Sequence, residues 1–313
     1  MGKYRKRLPQ TADRLFVTDA GLETELVFHD GRDLPHFAAF DLLKEDSGFE
    51  RLRAYYLRYA QIAGAHGLGL LLETPTWRAS PEWGARLGYD REALADANRR
   101  AVSLLLEIRA AFETPATPVV VSGNVGPRGN GYRPDARMSA AEARDYHAWQ
   151  IGTFAATDAD LVSAFTMNYV EEAIGVAAAA RDHAMPAVIS FTVETDGRLP
   201  SGQRLAEAIE VTDAATDGHP AYYMINCAHP THFARTLQDA GAWRERIRGL
   251  RANASRRSHA ELDASSELDD GDPEELGSQY RALRPLLPRL TVVGGCCGTD
   301  HRHVGSICRA LAA

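Results

Sequence analysis

The chain has 313 residues, of which 45% are hydrophobic and 25% charged, so it can bury a sizeable core and extensive disorder is not expected. Its net charge of −7 argues against nucleic acid as the main partner, because binding a phosphate backbone requires a basic face. No apolar run approaches the ~18 residues of a membrane helix, and no apolar signal-peptide core follows the basic N-terminus, so we expect a cytoplasmic protein without a membrane partner.

Eight short apolar runs recur along the chain, and most are followed by an alanine- and leucine-rich helical stretch. Each run predicts a parallel strand buried on both faces, because it is apolar throughout rather than alternating. The runs are residues 14–21, 68–77, 117–127, 159–168, 187–197, 221–230, 246–255 and 290–299. Eight strand–helix alternations in this length favour a closed (β/α)8 barrel, a TIM barrel of the α/β class, with residues 1–313 as a single domain. An open doubly wound sheet is the alternative.

The segments between these runs carry helical signals. One helical stripe follows the first run and consists of Leu52, Tyr55, Tyr56, Tyr59 and Ile62. Further on, Asp272 and Pro273 predict the N-cap and first residue of another helix. The acidic stretch 258–275 is the one marked shift in composition, and we expect it to be a solvated loop over the barrel mouth, between strand 7 and the next helix.

The C-terminal ends of the predicted strands should carry the functional residues, as in TIM-barrel enzymes generally. These ends supply carboxylate, amide, hydroxyl and thiol side chains: Asp19, Glu23, Glu73, Thr74, Asn124, Asn168, Glu194, Asp196, Asn226, Cys227, Asn253, Cys296 and Cys297.

Two adjacent cysteines follow the last predicted strand, in the sequence GGCCGT at residues 294–299. Chance burial, a vicinal disulfide and half of a metal site are the three explanations. A vicinal disulfide would leave Cys227 unexplained, whereas a catalytic zinc site needs three protein ligands and one open position. Cys227 ends strand 6, and Cys296 and Cys297 end strand 8, so all three sulfur atoms can meet at the barrel mouth. We predict that they bind Zn2+, and that Cys308 belongs to the core.

A zinc ion with three thiolate ligands is a poor Lewis acid for making hydroxide from water. It is better suited to holding a substrate thiol as a nucleophilic thiolate. A free alkyl thiol has a pKa of ~8.5 and is mostly protonated at neutral pH, so metal binding would release its proton. The reaction that this suits is attack of the sulfur on an activated methyl group of a sulfonium or quaternary ammonium donor.

Four segments resemble the homocysteine S-methyltransferase family: DAGLETEL (19–26), ETPTWRASPEWGARLGY (73–89), NCAHP (226–230) and GGCCGT (294–299). The resemblance runs from about residue 13 to the C-terminus. It implies a (β/α)8 barrel, zinc held by Cys227, Cys296 and Cys297, L-homocysteine as the thiol acceptor and L-methionine as the product. It also implies that Asp19 receives the amino group of the substrate.

The residues that would bind the rest of the substrate depart from the family. Members that use homocysteine commonly carry a glutamate at the end of strand 4, and the matching residue here is Ala164. Glu73 or Glu194 can substitute for it, or the acceptor is a different thiol. Thr74 is a candidate hydrogen-bond partner for a substrate carboxylate. Asn226 is expected to orient the neighbouring thiolate through hydrogen bonds.

Other functions remain open at the level of sequence. The same barrel and metal would suit a hydrolase or lyase, and a non-enzymatic zinc-stabilised or redox-sensing protein is a further alternative. Trp77 and Trp83 could contact a cationic donor through their rings, although packing is the commoner role of tryptophan. His229 and His301 are expected to flank the metal rather than bind it. The sequence does not identify the methyl donor or the oligomeric state.

Overall fold

The computed structural model describes residues 1–312, and its eight strands are all parallel and close into one barrel in chain order. The strands are β1 (Phe16–Val17), β2 (Gly69–Glu73), β3 (Val119–Val125), β4 (Leu161–Met167), β5 (Ala187–Phe191), β6 (Pro220–Asn226), β7 (Ile247–Ala252) and β8 (Val292–Gly295). Strand β1 pairs with both β2 and β8, which closes the barrel. The predicted TIM barrel is therefore confirmed, and the open sheet is excluded.

Helices surround the strands. They are α1 (Leu22–Thr24), α2 (Asp46–His66), α3 (Pro81–Arg86), α4 (Arg91–Phe112), α5 (Ala140–Ala155), α6 (Val170–Asp182), α7 (Leu205–Thr216), α8 (Pro230–Phe233), α9 (His259–Asp263), α10 (Pro273–Leu283) and α11 (His301–Ala312). As predicted, Asp272 caps α10, because its carboxylate accepts hydrogen bonds from the backbone N–H groups of Glu274 (2.8 Å) and Glu275 (3.2 Å). No helix in the described part of the chain combines the length and apolar character that crossing a bilayer requires.

The core has two layers. The larger layer lies between the strands and the helices, and it includes Leu52, Tyr55, Tyr56 and Tyr59 of the predicted α2 stripe. The smaller layer fills the lower part of the barrel with Phe16, Leu71, Val120, Leu161, Val188, Met224 and Val292.

The interior of the barrel becomes polar towards the C-terminal ends of its strands. Side chains on one face of a strand recur every second residue, so the residue two beyond each interior apolar residue also faces inward. These next positions are Glu73, Ser122, Ser163, Ser190 and Asn226. All five are buried, and Ser122 and Ser163 are hydrogen bonded at 2.8 Å. The sequence thus directs buried polar groups to one end of the barrel, and of the five only Glu73 lacks a hydrogen-bond partner in residues 1–312.

The N-terminal segment covers the opposite end. The backbone N–H of Tyr4 donates to the Asp160 carboxylate (2.7 Å), which also forms a buried ion pair with Arg109. Leu8 packs against the apolar residues inside the barrel. The cavity described below therefore opens at the C-terminal end of the strands.

Candidate functional site

The three cysteines predicted to bind metal meet at the ends of β6 and β8. Their Sγ atoms all lie within 4.8 Å of one another. Cys227 and Cys296 are joined as a disulfide, while Cys297 is a free thiol with its Sγ 4.0 Å from that of Cys227. A vicinal disulfide is excluded, because the bond links the two strand ends and not the adjacent pair. In the reduced state these residues offer three sulfur donors to one ion, which is the donor set of a thiophilic metal such as zinc.

Special backbone geometry positions these cysteines. Cys227 adopts a left-handed conformation (φ 52°), which is uncommon and costly for a residue with a side chain. After the pair, Gly298 turns the chain with φ 78°, a value that favours glycine. Before the pair, a Cβ atom at Gly294 would collide with the Thr18 hydroxyl, so only glycine lets β8 lie this close to β1.

Groups beside the sulfurs hold them in place. The Tyr132 hydroxyl lies 3.9 Å from the Cys297 Sγ, and its ring packs on the His259 ring at a centroid distance of 4.0 Å. His259 presents Nε2 to the carbonyl oxygen of Cys227 and Nδ1 to the Glu194 carboxylate, 3.2 Å away. Burial raises the pKa of the Tyr132 phenol well above its usual value, so the hydroxyl keeps its proton and can donate to a sulfur.

A cavity of about 590 Å³ opens beside the sulfurs. Its wall includes the loop after β1, the ends of β2, β4 and β7, and the segment that follows β7. That last segment contains α9 and contributes Leu262, Asp263, Ser265, Glu267, Leu268 and Asp269, so the acidic stretch does lie over the barrel mouth. The volume is in the range of small-molecule sites.

Asp19 lies in this wall, and it already has a cationic partner. Its Oδ1 is 2.8 Å from Nη2 of Arg251, and its Oδ2 accepts a hydrogen bond from the Tyr55 hydroxyl at 3.1 Å. Arg251 also donates to the carbonyl oxygens of Ala20 and Gly295, both at 2.9 Å. Burial raises the pKa of Asp19, and the guanidinium opposes that shift. The arrangement joins the ends of β1, β7 and β8 into one rigid unit.

Glu73 is an acidic residue of the cavity with unused hydrogen-bonding capacity. It is buried, and neither carboxylate oxygen has a hydrogen-bond partner in the described part of the chain. Burial raises the pKa of Glu73 to about 7. Burial likewise raises the pKa of Glu23, which lines the same cavity, to about 7.

The Thr74 hydroxyl forms its hydrogen bonds within the protein. Thr76 donates its own hydroxyl proton to the carbonyl oxygen of Asn124 (2.8 Å), so the proton in the 2.6 Å contact between the two threonines comes from Thr74. Thr74 also accepts a hydrogen bond from the backbone N–H of Asn124 (2.8 Å). No proton remains for the substrate carboxylate for which this residue was a candidate partner.

Asn226 supports the site through the backbone. Its side-chain oxygen accepts hydrogen bonds from the Ser190 hydroxyl (2.6 Å) and the backbone N–H of Thr166 (3.0 Å), and its amide nitrogen donates to the Thr166 hydroxyl (3.0 Å). Thr166 has a φ of 63°, so Asn226 fixes the strained end of β4. In residues 1–312 no hydrogen bond joins the Asn226 side chain to a sulfur, in contrast to the predicted role.

Two positions that were considered for a substrate-binding carboxylate of the protein, 164 and 194, differ from expectation. The Ala164 side chain packs in the layer between strands and helices, so a carboxylate there would not face the cavity. Instead, β4 presents Phe165 and Thr166 to the cavity. Glu194 is not among the described residues of the cavity wall, and its carboxylate contacts His259.

Sequence reasoning missed four residues at this site: Arg78, Tyr132, Arg251 and His259. A signal was available for Arg251, because an arginine near the end of a buried barrel strand is costly unless it is paired. Tyr132 lies in a loop and His259 begins the short helix α9, and in both places position along the chain gives no indication of which side chain turns inward.

The comparisons with known proteins agree with this geometry. A family model described as homocysteine S-methyltransferase matches residues 16–311. Among solved structures, the homocysteine methyltransferase MmuM from Escherichia coli is similar in its oxidized form (TM-score 0.75, 20% identity, 94% of each chain covered). Its metallated form is also similar (TM-score 0.73, 19% identity, 95% of this chain and 96% of that chain). Among curated proteins no relative matches.

The family model covers nearly the whole chain, and the barrel with its three converging cysteines is what the four sequence segments led us to expect. The chain belongs to the homocysteine S-methyltransferase family.

Proposed function

We propose that this protein is a zinc-dependent methyltransferase that moves a methyl group from a sulfonium or quaternary ammonium donor to the thiol of L-homocysteine, giving L-methionine. The observation that carries the proposal is the convergence of Cys227, Cys296 and Cys297 beside a cavity of about 590 Å³. When bound by these cysteines, zinc would supply a cation that favours the thiolate form of the acceptor. Such a cation is needed because a free alkyl thiol is mostly protonated at neutral pH.

The reaction balances without a redox partner. A carbon–sulfur bond forms between the acceptor sulfur and the methyl carbon, and the bond from that carbon to the donor's positive sulfur or nitrogen breaks. The electron pair of the broken bond stays on the donor atom, which becomes neutral, and the acceptor's thiol proton goes to solvent. Chain residues contribute by holding the two substrates in line and by keeping water out of the cavity.

Glu73 is the residue that we propose receives the acceptor's ammonium group. Its two oxygens are buried and unpartnered in residues 1–312, and leaving a buried carboxylate unpaired is unfavourable. An ammonium group would satisfy both oxygens and hold the carboxylate in its ionised form. Asp19 is not the residue that we propose for the ammonium group, because the Arg251 guanidinium already neutralises its charge. Its proposed role is to hold Arg251 in position.

The test is a donor screen with the reduced, zinc-loaded protein and L-homocysteine. S-methyl-L-methionine, S-adenosyl-L-methionine and glycine betaine are each supplied, and methionine is measured by mass spectrometry. We expect methionine with at least one donor, and its loss in Cys297→Ser. Failure with all three would contradict the proposed reaction. X-ray absorption at the zinc edge then distinguishes the alternatives: an added sulfur neighbour with homocysteine supports thiol transfer, and an unchanged zinc environment favours a hydrolase or lyase.

A further inference from the structure

Three arginines of this chain are almost completely buried, and one of them has no anionic partner. Arg78, Arg109 and Arg251 are each only 7% exposed. Arg109 pairs with Asp160, and Arg251 pairs with Asp19. For Arg78, no carboxylate oxygen of residues 1–312 comes within the 4.0 Å of an ion pair.

The Arg78 guanidinium is held in a fixed plane at the cavity wall. It lies between two indole rings, 3.8 Å from the ring centroid of Trp77 and 3.9 Å from that of Trp83. Nη1 donates to the carbonyl oxygen of Gly129 at 3.1 Å, while Nε is buried without a partner. Stacking orients the fork of N–H donors, and a fork held in this way can bind a carboxylate with two hydrogen bonds.

A buried cation without a counter-ion is unfavourable, so this arrangement calls for a partner from outside the chain. Burial lowers the pKa of Arg78 to about 10, which still leaves the group charged at neutral pH. Glu23 lines the same cavity and its charge acts on Arg78, but no ion pair or hydrogen bond joins the two side chains in residues 1–312. Thr74, the candidate partner for a substrate carboxylate, has no free proton.

We propose that Arg78 is the carboxylate-binding residue of the cavity, and that its guanidinium binds the carboxylate of one of the two substrates. This rests on the proposed methyl transfer for the identity of those substrates, but not for the binding itself. It also gives the two tryptophans a role: they orient Arg78, and the ring faces that it occupies are not available to a cationic methyl donor. The class of ligand is a zwitterion or amino acid with a free carboxylate.

Matched pairs of probes test the proposal. The donor pair is S-methyl-L-methionine and its decarboxylated analogue, (3-aminopropyl)dimethylsulfonium. The acceptor pair is L-homocysteine and 3-aminopropane-1-thiol, which lacks only the carboxylate. Binding is followed by tryptophan fluorescence under reducing conditions with zinc, because Trp77 and Trp83 flank the guanidinium and no turnover is needed.

We expect Arg78→Gln to weaken binding of the carboxylate-bearing member of one pair by about 10- to 100-fold, since charge-assisted hydrogen bonds are lost. Binding of its decarboxylated partner should be unchanged. The pair that responds identifies whether donor or acceptor carries the carboxylate. Equal effects on both members of both pairs, or no effect on any, would overturn the proposal.

Two further variants complete the design. Arg86→Gln is the matched control, because Arg86 also lies over the Trp83 ring (4.3 Å) but is exposed and is not part of the cavity wall. It should bind all four probes as the wild type does. Arg78→Lys keeps the charge but loses the fork, so it should give an intermediate loss and covers the case in which the glutamine variant does not fold. A protein that shows the carboxylate effect but makes no methionine would contradict the proposed function alone.

Discussion

Arg251, inside β7, forms an ion pair with Asp19, which follows β1, at 2.8 Å between Nη2 and Oδ1. Both residues are buried, so each charge depends on the other for its stability. The same guanidinium lies 5.1 Å from the centre of the Phe165 ring at the end of β4. This pair therefore places two opposite charges in the cavity wall before any substrate enters. The carboxylate that was expected to receive the substrate amino group already has a cation beside it.

Arg251→Met should destabilise the fold by about 3–5 kcal/mol, because it leaves the Asp19 carboxylate buried without a partner. Urea unfolding of the reduced protein at pH 7 measures the loss. The double variant Asp19→Asn with Arg251→Met removes the orphaned charge and should recover part of that free energy. If the free energy of unfolding of Arg251→Met lies within about 1 kcal/mol of the wild-type value, the ion pair does not stabilise the fold as expected.

Each cysteine of the cluster should be needed for metal binding. We expect about one zinc ion per chain in the wild-type protein, and a large loss in Cys227→Ser, Cys296→Ser and Cys297→Ser, because a three-thiolate site loses a ligand in each. Metal analysis after dialysis with a reductant gives the stoichiometry. Cys308→Ala is the control, since that thiol is buried in the core away from the cluster. Full occupancy in any cluster variant would remove that cysteine from the ligand set.

Oxidation should compete with metal binding. The Cys227–Cys296 disulfide uses two of the three sulfur donors, and its formation from thiols releases two protons and two electrons to an added oxidant such as diamide. We expect diamide to release the metal and abolish methyl transfer, and dithiothreitol with zinc to restore both. Mass mapping of peptides should find the Cys227–Cys296 link. An oxidised protein that keeps its zinc would contradict the prediction that the disulfide and the metal ion need the same sulfur atoms.

Much of this fold was readable from the sequence. Parallel strands in a barrel are buried on both faces, so each appears as an apolar run. Seven of the eight runs contain a whole strand, and β6 begins at Pro220, one residue before its run. The convergence of the three cysteines was also readable, since Cys227, Cys296 and Cys297 lie at the ends of such runs, and the C-terminal ends of barrel strands meet at one mouth.

The substrate-binding residues were harder to predict, because their roles depend on partners that are distant in sequence. Asp19 was correctly placed in the cavity, but nothing near it in the chain shows that Arg251 neutralises it. Ala164 was matched to a functional position, although the alternation of β4 directs it towards the helices and Phe165 towards the cavity. A register error of one residue reverses the face of a strand, so single positions in a distant family match are fragile.

Tyr132→Phe should lower the rate of methyl transfer by about tenfold, because the variant loses the hydroxyl that lies 3.9 Å from the Cys297 sulfur. All three sulfur ligands remain, so zinc content should not change. Steady-state kinetics and metal analysis on the same samples separate the two effects. Tyr4→Phe is the matched control, since its hydroxyl contacts Glu113 at the opposite end of the barrel. Equal rates in the wild type and Tyr132→Phe would assign the tyrosine to packing on His259 alone.

Glu73→Gln should make the protein more stable at high pH. Folding raises the pKa of Glu73 from 4.5 to about 7, so the folded state favours the protonated carboxyl. Below pH 4.5 both states are protonated and Glu73 adds nothing to the pH dependence. Between the two values the folded chain binds more protons than the unfolded chain, so the free energy of unfolding falls as pH rises.

Above pH ~7 the buried Glu73 is ionised, and its ionisation lowers the free energy of unfolding by at most about 3 kcal/mol for such a pKa shift. Glutamine does not ionise, so the variant should equal the wild type near pH 4.5 and exceed it by up to that amount near pH 8. Urea unfolding across this range, with chelator and reductant in both samples, measures the difference. Glu50→Gln is the control, because its carboxylate is exposed on α2 and stays in water in both states. A constant difference between Glu73→Gln and the wild type would mean that Glu73 is ionised in the folded protein and already has a counter-charge.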